Sequence, residues 1–132
     1  MRIKIFASTT ILAALLATPV ASQTRFGRIE GTLSYPSDYI PALRVCAKNI
    51  SNNSQRCIQI KKNQKQYKIE VPAGTYHVSA SVTIAGQSDT AYYSRAVTCG
   101  LRYECKDHRP IPVTVKSGQV IKGINPQDWY NK

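Results

Sequence analysis

Short runs of alternating apolar and polar residues, each closed by turn-forming residues, recur along this chain about every 8–12 residues, a spacing that predicts strands. Between Phe26 and Tyr35, Ile29, Gly31 and Leu33 share one face, and Arg28, Glu30 and Thr32 share the other. Pro36 and Pro41 bracket the connection to a run in which Leu43, Val45 and Ala47 alternate with Arg44, Cys46 and Lys48. A polar turn over 49–54 leads to a second run with Ile58 and Ile60 on one face, and Tyr67–Val71 follows. Pro72-Ala73-Gly74 turns into the longest run, where Tyr76, Val78, Ala80, Val82 and Ile84 line one face and His77, Ser79, Ser81 and Thr83 the other. Ala85–Thr90 reads as a loop, Tyr92–Thr98 and Ile111–Val115 as strands, and Lys116–Gln119 as a turn into a last strand, Val120–Ile124. No segment beyond residue 22 carries a helical period. One apolar face per strand predicts an all-β chain, a seven- to eight-stranded antiparallel β-sandwich.

Residues 1–22 differ in character. Arg2 and Lys4 precede an apolar run from Ile11 to Leu16, and Pro19, Val20, Ala21 and Ser22 make a small-residue exit. That order predicts a secretory signal peptide cleaved after Ser22; the apolar run falls well short of the ~20 residues that span a bilayer. The expected mature chain is one domain, 23–132, with a C-terminal tail over 125–132, in a periplasmic or secreted location. All seven acidic residues lie beyond residue 22, and of the 18 Lys and Arg only Arg2 and Lys4 precede it. Sixteen basic against seven acidic residues leave the mature part at +9.

A small domain has little core to spend, and export allows disulfides to staple it. Cys46 and Cys57 flank the 49–54 turn on the polar faces of two alternating segments, where a cross-strand bridge is feasible. Cys99 and Cys105 enclose only Gly100–Glu104. The expected pairs are Cys46–Cys57 and Cys99–Cys105. A four-cysteine zinc site, which uses tight pairs two to four residues apart, does not fit separations of 11, 42 and 6.

The run Tyr67-Lys68-Ile69-Glu70-Val71-Pro72-Ala73-Gly74-Thr75-Tyr76 resembles the strand, Pro-x-Gly-x-Tyr, strand centre of carboxypeptidase regulatory-like domains. Ile111–Val120 resembles their penultimate hairpin. The resemblance covers most of 26–124 and implies a prealbumin-like (transthyretin-like, Cna-B-related) sandwich. That fold serves exported proteins as stalk, spacer or binding module, so it implies an architecture and no activity. The Cys99–Cys105 loop and the Asp128-Trp129-Tyr130 ending look like decorations upon it. The Lys–Asn isopeptide chemistry of Cna-B domains finds no matching acceptor and acidic residue here.

Candidate chemistry is sparse. Asp107 and His108 follow the second disulfide, but no nucleophile accompanies them: the cysteines are expected to be oxidised, and Ser94 lacks a Gly-x-Ser-x-Gly context. His77 and His108, the two histidines, belong to no spaced ligand motif. The sequence argues against an enzyme, with no catalytic residue, metal or cofactor expected. Basic residues form two groups. Lys61, Lys62, Lys65 and Lys68 cluster near one hairpin, joined by Arg56 and Lys48. Arg95, Arg102, Lys106 and Arg109 surround the disulfide loop among Tyr92, Tyr93 and Tyr103. Cations beside aromatics grip anions by ion pairing and stacking. The expected site is therefore Tyr92, Tyr93, Arg95, Arg102, Tyr103, Lys106, His108 and Arg109, within an 86–110 loop region. Its expected partner is an anionic envelope polymer or an exported protein, export making nucleic acid the poorer fit. The alternative is an inhibitor or immunity-type protein that blocks an exported enzyme. Trp129 and Tyr130 are expected to fold back over an open edge or end of the sandwich.

Overall fold

The computed structural model describes residues 25–132, so the expected signal peptide lies outside the described residues. Eight strands and one short helix follow in order: β1 (Phe26–Thr32), β2 (Leu43–Asn49), β3 (Gln55–Ile60), β4 (Gln66–Pro72), β5 (Gly74–Ile84), β6 (Gln87–Tyr92), α1 (Arg95–Cys99), β7 (Val113–Val115) and β8 (Val120–Ile121). They form two sheets, β4-β1-β8 and β3-β2-β5-β6, with β7 also paired to β5. Over the described residues the fold is sandwich-like and all-β apart from that one helix. Apolar rows of both sheets meet between them: Ile29, Tyr67, Ile69 and Val71 on one side, Leu43, Val45, Val78, Ala80 and Val115 on the other. These are the rows that the period-2 pattern assigns to the interior. Ile84 departs from its row, lying 47% exposed at the end of β5.

Four expectations are corrected. Ala85–Thr90 is not a loop. Ala85 and Gly86 alone make the turn, both with positive φ (50° and 79°), and β6 starts at Gln87 opposite Ile84. A two-residue turn of this kind matches the twist of adjoining strands. The polar residues that read as loop are a strand whose outward face is solvated. Second, Tyr92–Thr98 is not one strand: the chain leaves the sheet at Ser94 and makes the single helical turn of α1. Five residues are too few to display a period. Third, the last strand pairs only over Val120–Ile121. Fourth, the sheets are not wholly antiparallel, because β8 lies parallel to β1. The chain crosses from the five-stranded sheet to the three-stranded one through the 116–119 turn, and a crossover delivers a parallel neighbour.

Both expected disulfides are present, and among the described residues no cysteine is free. Cys46 and Cys57 sit directly opposite each other in the β2–β3 register. Among the described residues no helix is long and apolar enough to cross a membrane.

Tyr67 ties the core to the C-terminal passage, its phenol donating to Ile124 O at 2.5 Å. Burial, aided by the nearby Tyr93 phenol, pushes the Tyr67 hydroxyl far above the ordinary tyrosine range. A raised native pKa stabilises the fold fully below the unfolded value, about pH 10, and that contribution is lost as pH rises beyond it. Wild type is therefore expected to lose stability above about pH 10 more steeply than Tyr67→Phe, although the variant is less stable near neutrality by about 1 kcal/mol. Urea unfolding of both proteins across that range checks this, and parallel pH profiles would refute it.

Candidate binding site

β6 and β7 occupy successive stretches of one side of β5, β6 opposite Ser79–Ile84 and β7 opposite Gly74–Tyr76. The residues between them form a cap that projects from the sheet. Tyr93 N still donates to Val78 O on β5 (2.9 Å), and Ser94 and Pro110 then bridge across the neck. Arg95 N donates to Arg109 O (3.1 Å) and Ile111 N to Tyr93 O (3.0 Å), closing it. Within the neck lie α1, with Ala96 buried beneath it, and the loop that Cys99–Cys105 ties off. The expected 86–110 loop region is thus β6 plus this cap.

The tail returns to lock the cap in place. Trp129 is buried in the core, its Nε1 donating to Ser34 O at 2.7 Å and its ring meeting Tyr35 edge-on at 5.0 Å. Burying Trp129 carries its neighbour Asp128 inward, where it is fully enclosed. Three groups converge on its carboxylate. Ser94 Oγ donates to Oδ2 at 2.7 Å, His108 Nδ1 lies 2.8 Å from the same oxygen, and Tyr130 N donates to Oδ1 at 3.2 Å. Enclosing a carboxylate is costly unless its oxygens are hydrogen-bonded, and these contacts meet that demand. An ionised carboxylate only accepts, so toward one the His108 ring donates from Nδ1. Asp128 N donates to Tyr92 O (3.2 Å), which joins the tail to β6 as well.

Serine, histidine and aspartate in contact invite comparison with a hydrolytic triad, where the imidazole stands between the serine and the carboxylate and takes the serine proton. Here the carboxylate stands in the middle, the Ser94 hydroxyl points at it, and Ser94 is completely buried. The trio pins the cap to the tail. Sequence reasoning missed Asp128, which lies 34 and 20 residues from its partners. The usable signal was Trp129: an aromatic tail residue that docks brings its neighbour with it.

Beside His108, cap and tail enclose a cleft of about 280 Å³. Ala96, Leu101 and Cys105 give it apolar walls, Tyr103 and Tyr130 flank it, and Arg102, Lys106 and His108 supply nitrogen. Tyr103 is 88% and Tyr130 57% exposed. The Lys106 ammonium sits 3.7 Å from the centre of the Tyr103 ring. Of the eight residues singled out from sequence, the cleft gathers Arg102, Tyr103, Lys106 and His108. The other four lie elsewhere. Tyr93 packs against the core, and Tyr92 lines the outer face of the five-stranded sheet. Arg95 and Arg109 converge on Asp107, at 3.7 and 2.8 Å.

Charge in the cap is balanced in part, two carboxylates standing against four cations. Asp107 takes both Arg95 and Arg109, and Glu104 lies 3.5 Å from Arg102. The Arg109 guanidinium, bonded side chain to side chain, holds the Asp107 carboxyl well below the usual carboxylate range, and Asp107 raises Arg109 in return. Asp107 Oδ1 also accepts the Arg109 backbone N–H at 3.1 Å, shaping the turn into Pro110. Lys106 remains without a carboxylate among the described residues. Among those residues no group of three or more His, Cys, Asp or Glu is placed to hold a metal ion. No protein-family model, curated protein or solved structure matches the chain.

Proposed function

We propose that this is an exported, non-catalytic binding module on a prealbumin-like sandwich, and that its cap cleft takes one apolar side chain of an exported protein partner. The observation that carries the reading is the pair of exposed tyrosines held over an apolar cleft by a disulfide and a buried carboxylate. Leaving Tyr103 and Tyr130 in water forgoes burial of large apolar surface, and aromatics at interface centres are the residues that dominate binding energy. Size favours an anchoring side chain: drug-sized ligands occupy roughly 300–1,000 Å³, and the cleft offers about 280 Å³. Asp107 and Glu104 occupy Arg95, Arg102 and Arg109, which weakens the case for a polyanion at the cap, while the positive charge left over, Lys106 foremost, favours an acidic rim on the partner. An inhibitor or immunity-type role would use the same cleft.

Two tyrosine variants test the reading. Oxidised 23–132 immobilised against an envelope extract is expected to retain a protein in stoichiometric amount even at about 1 M salt, where charge acts within only about 3 Å. Tyr103→Ala and Tyr130→Ala are each expected to weaken that retention by at least tenfold, the cost of losing about 2 kcal/mol at an anchor. Retention at low salt only, or retention indifferent to both substitutions, would refute the cleft as the docking point.

A further inference from the structure

The outer face of the five-stranded sheet carries a second candidate site, independent of the cap cleft. Two contiguous grooves of about 370 and 510 Å³ run across it and share Arg44, Ser81 and Thr90. The register sets the outward residues side by side: Arg44 opposite Ser81, Cys46 opposite Ser79, Lys48 opposite His77, and Ser81 in turn opposite Thr90. Hydroxyls therefore fill the middle, cations stand along one side, and Tyr92 borders one end. Among the described residues no carboxylate pairs with Arg44 or Lys48.

None of the chain's seven acidic residues stands on this face. Glu30 and Glu70 lie on the three-stranded sheet, Glu104 and Asp107 in the cap, and Asp38 between β1 and β2. Asp128 is buried, and Asp89 shares the inward row with Val82. The three-stranded sheet shows what an ordinary solvated face of this protein looks like. There Arg28 stands opposite Glu70 and Glu30 opposite Lys68, with Glu30 within 3.4 Å of Arg28 and 3.6 Å of Lys68. Cations also guard exposed sheet edges against pairing, but β2 and β5 are interior strands, so edge protection does not account for Arg44, Lys48 or His77.

We infer that this face binds an acidic polysaccharide, a hydroxyl-rich chain on which carboxylates recur. Arg44 and Lys48 are four residues apart on one strand, about 13 Å between Cα atoms at ~3.3 Å per residue. A chain on which anions recur can meet both cations at once without drawing their side chains together. On the neighbouring strands Ser79, Ser81 and Thr90 carry hydroxyls that match sugar hydroxyls, Ser81 Oγ also reaching Arg44 O at 3.4 Å. Tyr92 offers a ring face for the C–H side of a pyranose, with a hydroxyl at its tip. A nucleic acid would call for several stacking platforms, and the groove's lining holds one tyrosine, Tyr92, and neither phenylalanine nor tryptophan.

Affinity electrophoresis of the oxidised protein through alginate, a polymer of uronic acids, tests the inference, with inorganic polyphosphate and neutral dextran as comparison gels. Retardation by alginate is expected at about 0.15 M salt, where exposed charge alone is screened beyond about 8 Å. The R44A/K48A double variant is expected to lose at least about tenfold in alginate affinity. Thr90→Val, which removes a hydroxyl and no charge, is expected to lose about fivefold. Tyr103→Ala should leave alginate binding unchanged, which separates this face from the cap. No retardation by alginate, equal retardation by polyphosphate, or full binding by R44A/K48A would each overturn the inference.

Discussion

Asp128→Ala is expected to destabilise the protein by on the order of 3–4 kcal/mol, the larger part of it from groups left behind. The substitution strands the fully buried Ser94 hydroxyl, the His108 Nδ1–H and the Tyr130 amide at once. Each unsatisfied buried donor costs about 1–3 kcal/mol; His108 and Tyr130 can turn partly to water, which keeps the total near the lower end of that sum. For a domain of about 100 residues this lowers Tm by roughly 15 °C. The loss should be local in its dynamic signature. Amide exchange should accelerate across the cap, 94–110, and the tail, 125–132, before the β1–β4 and β2–β5 ladders open. Asp128→Asn keeps the shape and one acceptor oxygen but turns an NH2 toward donors, so its cost should fall between alanine and wild type. Urea unfolding with exchange mass spectrometry checks both variants. An Asp128→Ala protein within about 0.5 kcal/mol of wild type would show that the carboxylate does not hold the cap. The consequence reaches binding, because the cap lines the cleft, Tyr130 of the tail flanks it, and Asp128 joins cap to tail.

What the sequence made legible follows from the range over which each signal acts. Strand faces are written locally, at period 2, so the rows Leu43-Val45-Ala47 and Tyr76-Val78-Ala80-Val82 fell where alternation put them. The Cys46–Cys57 pair was equally local: two strands folding about the 49–54 turn bring those positions face to face. Features decided by long-range contact were not legible. Nothing near Asp128 in the chain announces Ser94 or His108, and the parallel seat of β8 depends on which sheet the chain enters after β7. The cap's charges were visible, but their mutual pairing was not, since Asp107 meets Arg95 across the neck. The same limit applied to the outer sheet face. Arg44, Lys48, His77 and the serines were each assigned outward, yet only the strand order shows that they form one surface with no acid on it.

Gly31 meets the closest backbone approach of the described glycines, and Gly31→Ala is expected to cost at least about 3 kcal/mol or to prevent accumulation of folded protein. Its position reads as an ordinary inward strand residue between Ile29 and Leu33, where alanine or valine would suit the alternation. The passage after β8 removes that freedom. Ile124 N donates to Glu30 O at 3.0 Å and Thr32 N to Asn125 Oδ1 at 2.8 Å, so the chain is pulled flat against β1 on either side of Gly31. A Cβ there would overlap the Ile124 carbonyl and stand 2.8 Å from the Tyr67 ring, whose hydroxyl bonds that same carbonyl. Backbone cannot rotate aside as a long side chain does, so relief means lifting the C-terminal passage, and with it Ile124, Asp128 and Trp129. Gly86→Ala supplies the contrast. Nothing lies within 4 Å of a Cβ at Gly86, and its positive φ of 79° is the sole obstacle; that costs about 1 kcal/mol. If the two substitutions proved equally mild, the close approach of the tail to β1 would be disproved, because conformational preference alone cannot make Gly31 the more sensitive site.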